Sequence, residues 1–378
     1  MARLGGVSTG GRLVDLVQTR IDSFLDARSP ILAAISDDTA PMETISRDFL
    51  RFGKRFRARF CYWGWQAVQG FDVAADPFED DRRRDVPAVV GVAAALELFH
   101  AAALVHDDLI DASDTRRGAP SAHRRFEQEH RDRGFIGDAA RFGRSSSILL
   151  GDLLLVWSDE LFAESLEQLP DRENARAARA EFNRMRTDVT AGQYLDIVAE
   201  GGWPLVREGL EVEHALNVIT YKSAKYSIEA PLAIGASLGG ASLAQMAALR
   251  EFGLPLGIAF QLRDDLLGVY GDSEVTGKPA GDDLVEGKRT VLVALARRAL
   301  TPSARRTVDE LLGDPELTGE QVSMLQETIR QSGAIDEVEA MIAGGVERAL
   351  DALDDAPLTA DARDALSRLA ESISVRTA

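Results

Sequence analysis

The sequence predicts an all-α fold, and three observations carry that expectation. Apolar residues recur at helical spacing, as in Leu13, Leu16, Val17, Ile21 and Leu25. Val, Ile and Thr nowhere alternate over a sustained run, so no sheet is expected. The apolar segment from Ala88 to Val105 approaches the length of a membrane span, but Glu97 and His100 interrupt it, so it reads as a buried core helix. The 378 residues have room for one large domain or two ordinary ones. The reading is a flexible, glycine-rich N-terminus over 1–12 and a single helical domain over 13–378.

Composition narrows the function classes. A formal net charge of −18 argues against a nucleic-acid-binding surface, which normally carries a basic patch. The single cysteine, Cys61, leaves no intramolecular disulfide to form and fits a reducing compartment. The N-terminal stretch MARLGGVSTGGRLVDL lacks the apolar core of a signal peptide. A cytoplasmic protein without a membrane span is expected.

Helical spacing begins at Leu13. In Phe52-Gly53-Lys54-Arg55-Phe56-Arg57, basic side chains cluster after a glycine near a helix start. The flanks RDFLRF and RFCYWGW are aromatic, and cations against such a wall are costly unless an anion meets them. A solvated basic face is the alternative. Phe71 to Pro87 is charged, contains Pro77, and reads as a surface loop. The helix from about Pro87 to Asp111 follows. It places His100 nearly two turns before Asp107, about 10 Å along the axis, so both can face one cavity.

Ala112 to Arg144 reads as loop or short helix, either a lid or a solvated connection. Ser145 to Leu161 is an apolar helix with Gly151-Asp152 inside it. Arg172 to Ile197 is a long helix, ended by Gly201-Gly202-Trp203-Pro204. Glu211 to Ile228 carries Lys222 and Lys225 one turn apart; exposed lysines are the default, and the Tyr and Ile neighbours also suit inward-facing ones. Phe260 to Gly268 ends another apolar helix in Asp264-Asp265. The glycine-rich loop from Gly271 to Arg289 would let backbone and lysine approach phosphate oxygens. From Thr290 onward the pattern is helical and without recognisable chemistry.

The stretch Leu104 to Gly118, LVHDDLIDASDTRRG, organises the chain. On a helix, residues three and four apart share a face, so Asp107, Asp108 and Asp111 are expected to project together. Three like charges in one turn repel unless a cation sits among them, and carboxylate oxygens suit hard divalent ions such as Mg²⁺. Arg116 and Arg117 suit phosphate, which guanidinium binds in a bidentate way. Together these groups suggest a diphosphate site. The pair Asp264-Asp265 echoes it and suggests a facing helix that shares one metal cluster.

With these residues in view, the chain resembles the trans-isoprenyl (polyprenyl) diphosphate synthases, specifically those of the geranylgeranyl type. The first aspartate-rich motif is Asp107-Asp108-Leu109-Ile110-Asp111, with Arg116-Arg117-Gly118 following. The second is Gln261 to Asp265, the G-K-R-x-R element is Gly53 to Arg57, the Lys-Ser pair is Lys222-Ser223, and the G-K-x-x-G-x-D loop is Gly277 to Asp283. These occur in family order across residues 53 to 289. The resemblance implies a prenyltransferase, normally a homodimer, that condenses an allylic diphosphate with isopentenyl diphosphate head to tail, using about three Mg²⁺ ions. It implies metal ligation by Asp107, Asp111 and Asp264, and catalytic roles for Asp107, Asp108, Asp111, Lys222 and Lys278. It assigns Arg116, Lys222, Ser223, Gln261 and Lys278 to the allylic diphosphate. It assigns Lys54, Arg57, His100 and Arg117 to isopentenyl diphosphate, and a supporting role to Gln193 and Asp196. In the family the released pyrophosphate is thought to take the final proton.

Three positions depart from the family pattern: Gly268 stands where a third aspartate is frequent, Phe52 where glycine is, and Ala58 where proline is usual. Asp272 is not expected to replace the missing aspartate. The residues one to two turns before Asp107 form the floor of the elongation cavity by resemblance, here Ala103, Ala102 and Phe99. Small residues above Phe99 point to a medium product, geranylgeranyl diphosphate (C20), with farnesyl (C15) and longer chains as alternatives. The rivals are a class I terpene cyclase, whose second-helix Asn, Ser and Glu pattern has no convincing copy here, and a non-catalytic partner subunit, whose aspartate motifs are usually degraded.

Overall fold

The computed structural model describes residues 9–51, 53–69, 85–271 and 280–374. The helices fall into two compact units. One comprises residues up to Ala178 together with Gly235–Gly240, and the other Arg179–Ile234 together with residues from Ala241 onward. In the first unit, α1 (Thr9–Ile35), α2 (Ala40–Arg51), α3 (Phe56–Gln69), α5 (Ala122–Asp132) and α6 (Ala139–Glu167) pack around α4 (Val86–Ile110). Helix α1 begins at Thr9, inside the segment expected to be flexible through residue 12; residues 1–8 lie outside the described residues.

Helix α4 is apolar on every side, from Val89 and Val92 to Leu96, Leu98 and Val105, as befits a helix surrounded by others. It is the one helix among the described residues long and apolar enough to cross a membrane, and 83% of its most apolar window is buried. The buried-core expectation for Ala88 to Val105 therefore holds. Pro87 sits in its first turn, where a missing N–H costs nothing. Helix α6 packs closely along it: Gly91 makes room for Ser165, and the Ser158 hydroxyl donates to the Ala95 carbonyl at 2.7 Å. Gly151, noted in the sequence inside an apolar helix, makes room for the His106 ring one residue before Asp107.

In the second unit, α10 (Leu243–Tyr270) is the central element, flanked by Ile219–Glu229 and by the helix Ala334–Asp351. A capping box between Ser242 and Gln245 starts α10. Helix α8 (Glu211–Val218) runs on into a π-helical segment, Ile219–Glu229. Helix α7 (Arg172–Gly202) and helix α9 (Ala230–Leu238) contribute to both units.

The all-α reading stands, with one addition. Among the described residues, one antiparallel hairpin pairs β1 (Thr115–Arg116) with β2 (Ala119–Pro120). Two-residue strands are too short to produce any alternation of apolar residues, so the sequence pattern is silent on them.

Candidate active site

The first unit assembles the aspartates of α4 and the four residues expected around isopentenyl diphosphate. Helix α4 ends with Ala112 in left-handed conformation (φ +53°), and the Ser113 N–H returns to the Asp108 carbonyl at 2.9 Å. This is the six-to-one bond of a Schellman ending, with alanine where glycine is usual. The turn leaves Asp107 and Asp111 partly exposed at the helix end. Asp108 departs from the expected shared face: its carboxylate is fully buried, accepts from Arg116 Nε at 2.7 Å, and pairs with Arg116 Nη2. One residue along a helix is a rotation of roughly 100°, which turns Asp108 toward the hairpin. Arg116 also stands 3.6 Å from Asp107.

The hairpin places both arginines. Its two loop residues, Arg117 and Gly118, have φ +55° and +74°, the pattern of a type I′ turn, in which Asn-Gly is the favoured pair. The Arg117 guanidinium lies over Gly53, where an added Cβ would stand 3.3 Å from it. Below the turn, the Ser121 N–H bonds the Asp114 carbonyl at 2.9 Å, the Ser121 hydroxyl meets His123 Nδ1 at 3.1 Å, and Arg124 bridges both Asp114 oxygens. The segment read as loop or lid is thus a hairpin followed by a helix, α5.

His100 is partly buried on α4. Burial and the guanidinium groups of Arg57, Arg117, Arg116 and Arg55 hold its imidazole well below the ordinary range, so the ring is neutral. Lys54 is exposed, and Arg57 lies in the first turn of α3. Ala102 is fully buried and Phe99 nearly so, whereas Ala103 is partly open. Among the described residues, the non-glycine residues with positive φ are Arg55, Ala112 and Arg117, and all three belong to this assembly. Such clustering of unfavourable backbone is typical of functional sites.

The second unit assembles the other motifs. Asp188, Gly192 and Asp196 recur every four residues along α7. Lys222 donates to Asp196, and Lys225 pairs with Asp188 at 3.4 Å. Gly192 lies directly against the Lys222 backbone, and Gly257 of α10 against Ala224, so the π-helical segment sits between two helices that each yield a side chain to it. A π-helix in such a place is frequently functional. On α10, Gln261 Nε2 donates to Asp265 Oδ1 at 2.8 Å. Burial and the neighbouring Asp283 and Asp264 push the Asp265 carboxyl up to about 8, against the opposing bond from Gln261. Asp264 is partly exposed. Lys278 and Gly277, like Phe52, Asp272 and most of the loop from 71 to 87, lie outside the described residues.

Among the described residues, no three acidic or imidazole groups converge on one point. The donor set nevertheless fits Mg²⁺, which keeps several waters and takes only one or two carboxylates together with substrate phosphates. Partly exposed Asp107 and Asp111 in the first unit, and Asp264 in the second, are each such a donor.

Sequence reasoning missed the buried roles of Arg55 and Glu97, the approach of Asp283 to Asp265, and the pairing of Asp108 with Arg116. Glu97 had left a signal: a carboxylate inside an otherwise apolar helix needs a buried cation.

Partly open carboxylates at the end of α4, beside the clamped Arg116 of the hairpin, suit an enzyme that handles diphosphates. The family model described as polyprenyl synthetase matches residues 40–329. Geranylfarnesyl diphosphate synthase of Aeropyrum pernix is 33% identical over 285 residues, covering 75% of this chain and 81% of that protein. Geranylgeranyl diphosphate synthase of Mycobacterium tuberculosis is 30% identical over 309 residues, covering 82% and 77%. Among solved structures, geranylgeranyl pyrophosphate synthase of Corynebacterium glutamicum, complexed with isoprenyl diphosphate and magnesium, superposes with a TM-score of 0.88. That match has 40% identity and covers 97% of this chain and 99% of that one. The chain belongs to the polyprenyl synthetase family; it is a prenyltransferase of the kind that elongates prenyl chains.

Proposed function

We propose that the protein condenses isopentenyl diphosphate with an allylic diphosphate, head to tail, and releases geranylgeranyl diphosphate. One observation carries the division of labour within the first motif: Asp108 is buried under Arg116 while Asp107 and Asp111 stay partly open. Asp107, Asp111 and Asp264 are then the ligands for Mg²⁺, about three ions per site in this reading. Mg²⁺ held there would supply Lewis-acid neutralisation of the leaving diphosphate. Asp108 acts through Arg116, which it fixes so that the guanidinium fork can meet phosphate oxygens. Lys222, oriented by Asp196, serves the same allylic diphosphate with Ser223, Gln261 and Lys278. Lys54, Arg57 and Arg117 hold isopentenyl diphosphate, and neutral His100 donates one ring N–H to it. Holding two substrates in alignment supplies much of the acceleration. Ala102, Ala103 and Phe99 set the length of the product. The enzyme works in this reading as a cytoplasmic homodimer.

The test is an assay with isopentenyl diphosphate, Mg²⁺ and C5, C10 or C15 allylic primers, followed by identification of the products. A C20 diphosphate from all three primers is expected, and chelation of the metal should abolish it. Hydrocarbon formed without isopentenyl diphosphate would mean a cyclase, and no product a non-catalytic subunit.

A further inference from the structure

Arg55 stands between Lys54 and Arg57, yet its side chain turns inward. It is 5% exposed, as is Glu97 of α4. Arg55 Nη1 donates to Glu97 Oε2 at 3.2 Å, while Nη2 meets the Leu50 carbonyl and the Gln18 side chain. The other Glu97 oxygen accepts the Ala58 N–H at 3.2 Å, in the first turn of α3. One carboxylate therefore holds both the arginine and the start of the helix that carries Arg57, where a negative charge also meets the positive end of the helix dipole. Alanine at position 58 has the N–H that this bond needs, which a proline would lack.

Three features say that this pair does more than fill the core. Arg55 has φ +50°, a conformation unfavourable for any residue with a Cβ, so the backbone between Lys54 and Arg57 has to be held there. Two buried charges are a poor way to gain stability, because an apolar pair of equal volume generally does as well or better. Glu97 also lies one turn before His100 on α4. We infer that Arg55 and Glu97 are a positioning pair for isopentenyl diphosphate, setting Lys54 and Arg57 in register with His100 without touching the substrate. The inference rests on the reading given under Proposed function.

Kinetics with each substrate varied in turn, at saturating levels of the other, test it in three proteins. These are the wild type, Arg55→Lys, which keeps the charge but loses the fork, and Arg55→Gln/Glu97→Gln, which removes both charges and strands neither. In the double variant the KM for isopentenyl diphosphate should rise about 10- to 100-fold. Its kcat and its KM for the allylic primer should stay within about threefold. Arg55→Lys should fall between, and it decides the matter if the double variant does not unfold cooperatively. Calorimetric titration with isopentenyl diphosphate alone should show the same loss without turnover. An unchanged KM for isopentenyl diphosphate, or equal losses for both substrates, would overturn the positioning role while leaving the wild type's activity intact. A wild type that elongates no primer would overturn both readings.

Discussion

The Asp283 carboxylate fills the space that a side chain at Gly268 would occupy: a Cβ built on Gly268 overlaps it. At the position where the family pattern leads to the expectation of a third aspartate, a carboxylate from the following segment stands instead. Asp283 is held by Lys288, 3.6 Å away, and is close enough to Asp265 to raise it. The acidic set on α10 is completed from elsewhere in the chain.

A counterintuitive prediction follows for Gly268→Asp. Restoring the usual aspartate should lower activity, because the new side chain must displace Asp283 and adds a like charge beside an already raised carboxyl. Overpacking of this kind costs about 1–3 kcal/mol. Denaturant unfolding should show that loss, and turnover should fall rather than rise. Higher turnover in Gly268→Asp would mean that Asp283 plays no part in the acidic set.

Arg117 occupies a turn position that prefers asparagine. Arg117→Asn should therefore stabilise the protein, by about 1 kcal/mol, while removing a charge from the isopentenyl diphosphate pocket. Charge-assisted bonds are worth about 1.5–3 kcal/mol, so the KM for isopentenyl diphosphate should rise at least tenfold. Opposite changes in thermal midpoint and KM would identify Arg117 as a residue kept for binding at the expense of its turn. A fall in stability would show that the turn does not strain it.

His100 gives a pH prediction whose sign follows from its lowered pKa. The native ring stays neutral, whereas in the unfolded chain it takes up a proton below about 6.5. Protons then bind the unfolded state more, so this stability is present above pH 6.5 and is lost as the pH falls. Between pH 7.5 and 5.5 the wild type should lose about 1 kcal/mol more than His100→Gln. His123, lowered mainly by burial and also by Arg124, leaves a similar slope in both proteins. Unfolding curves at the two pH values measure the difference. Equal losses would mean that burial and the Arg57, Arg117, Arg116 and Arg55 cations do not depress the imidazole.

Much of this site was legible in the sequence because its logic is local. Asp107 and Asp111 are four apart on one apolar helix, so their placement follows from helical geometry alone. The lysines at 222 and 225 were likewise readable as inward-facing, and Asp196 and Asp188 meet them. What escaped reading depends on partners distant in the chain. Nothing about Arg55 or Arg117 announces a left-handed backbone, since arginine is ordinary in type and only the surrounding structure imposes the turn. The π-helical stretch Ile219–Glu229 looks like any helical segment, because the glycines that shape it, Gly192 and Gly257, belong to other helices. Gly268 could be read as a loss, but not as room for Asp283.

The floor of the cavity offers a prediction that separates two adjacent alanines. Ala102 is fully buried against its neighbours, whereas Ala103 keeps partial exposure. A phenylalanine at 102 has no space to enter and must push α4 from its packing, at a cost of about 1–3 kcal/mol. At 103 the partial exposure leaves room for a ring, which in the proposed reading shortens the space available to a growing prenyl tail. Ala103→Phe should therefore retain near wild-type stability and shift the main product from C20 to C15. Ala102→Phe should instead lower the unfolding midpoint, and its product length then reads mostly the damage to packing. Product analysis by mass spectrometry, paired with unfolding curves for both variants, distinguishes these effects. If Ala103→Phe folds normally and still releases the wild-type chain length, the face one turn before Asp107 is not the gauge, and the limit lies lower on α4, at Phe99 or beyond it.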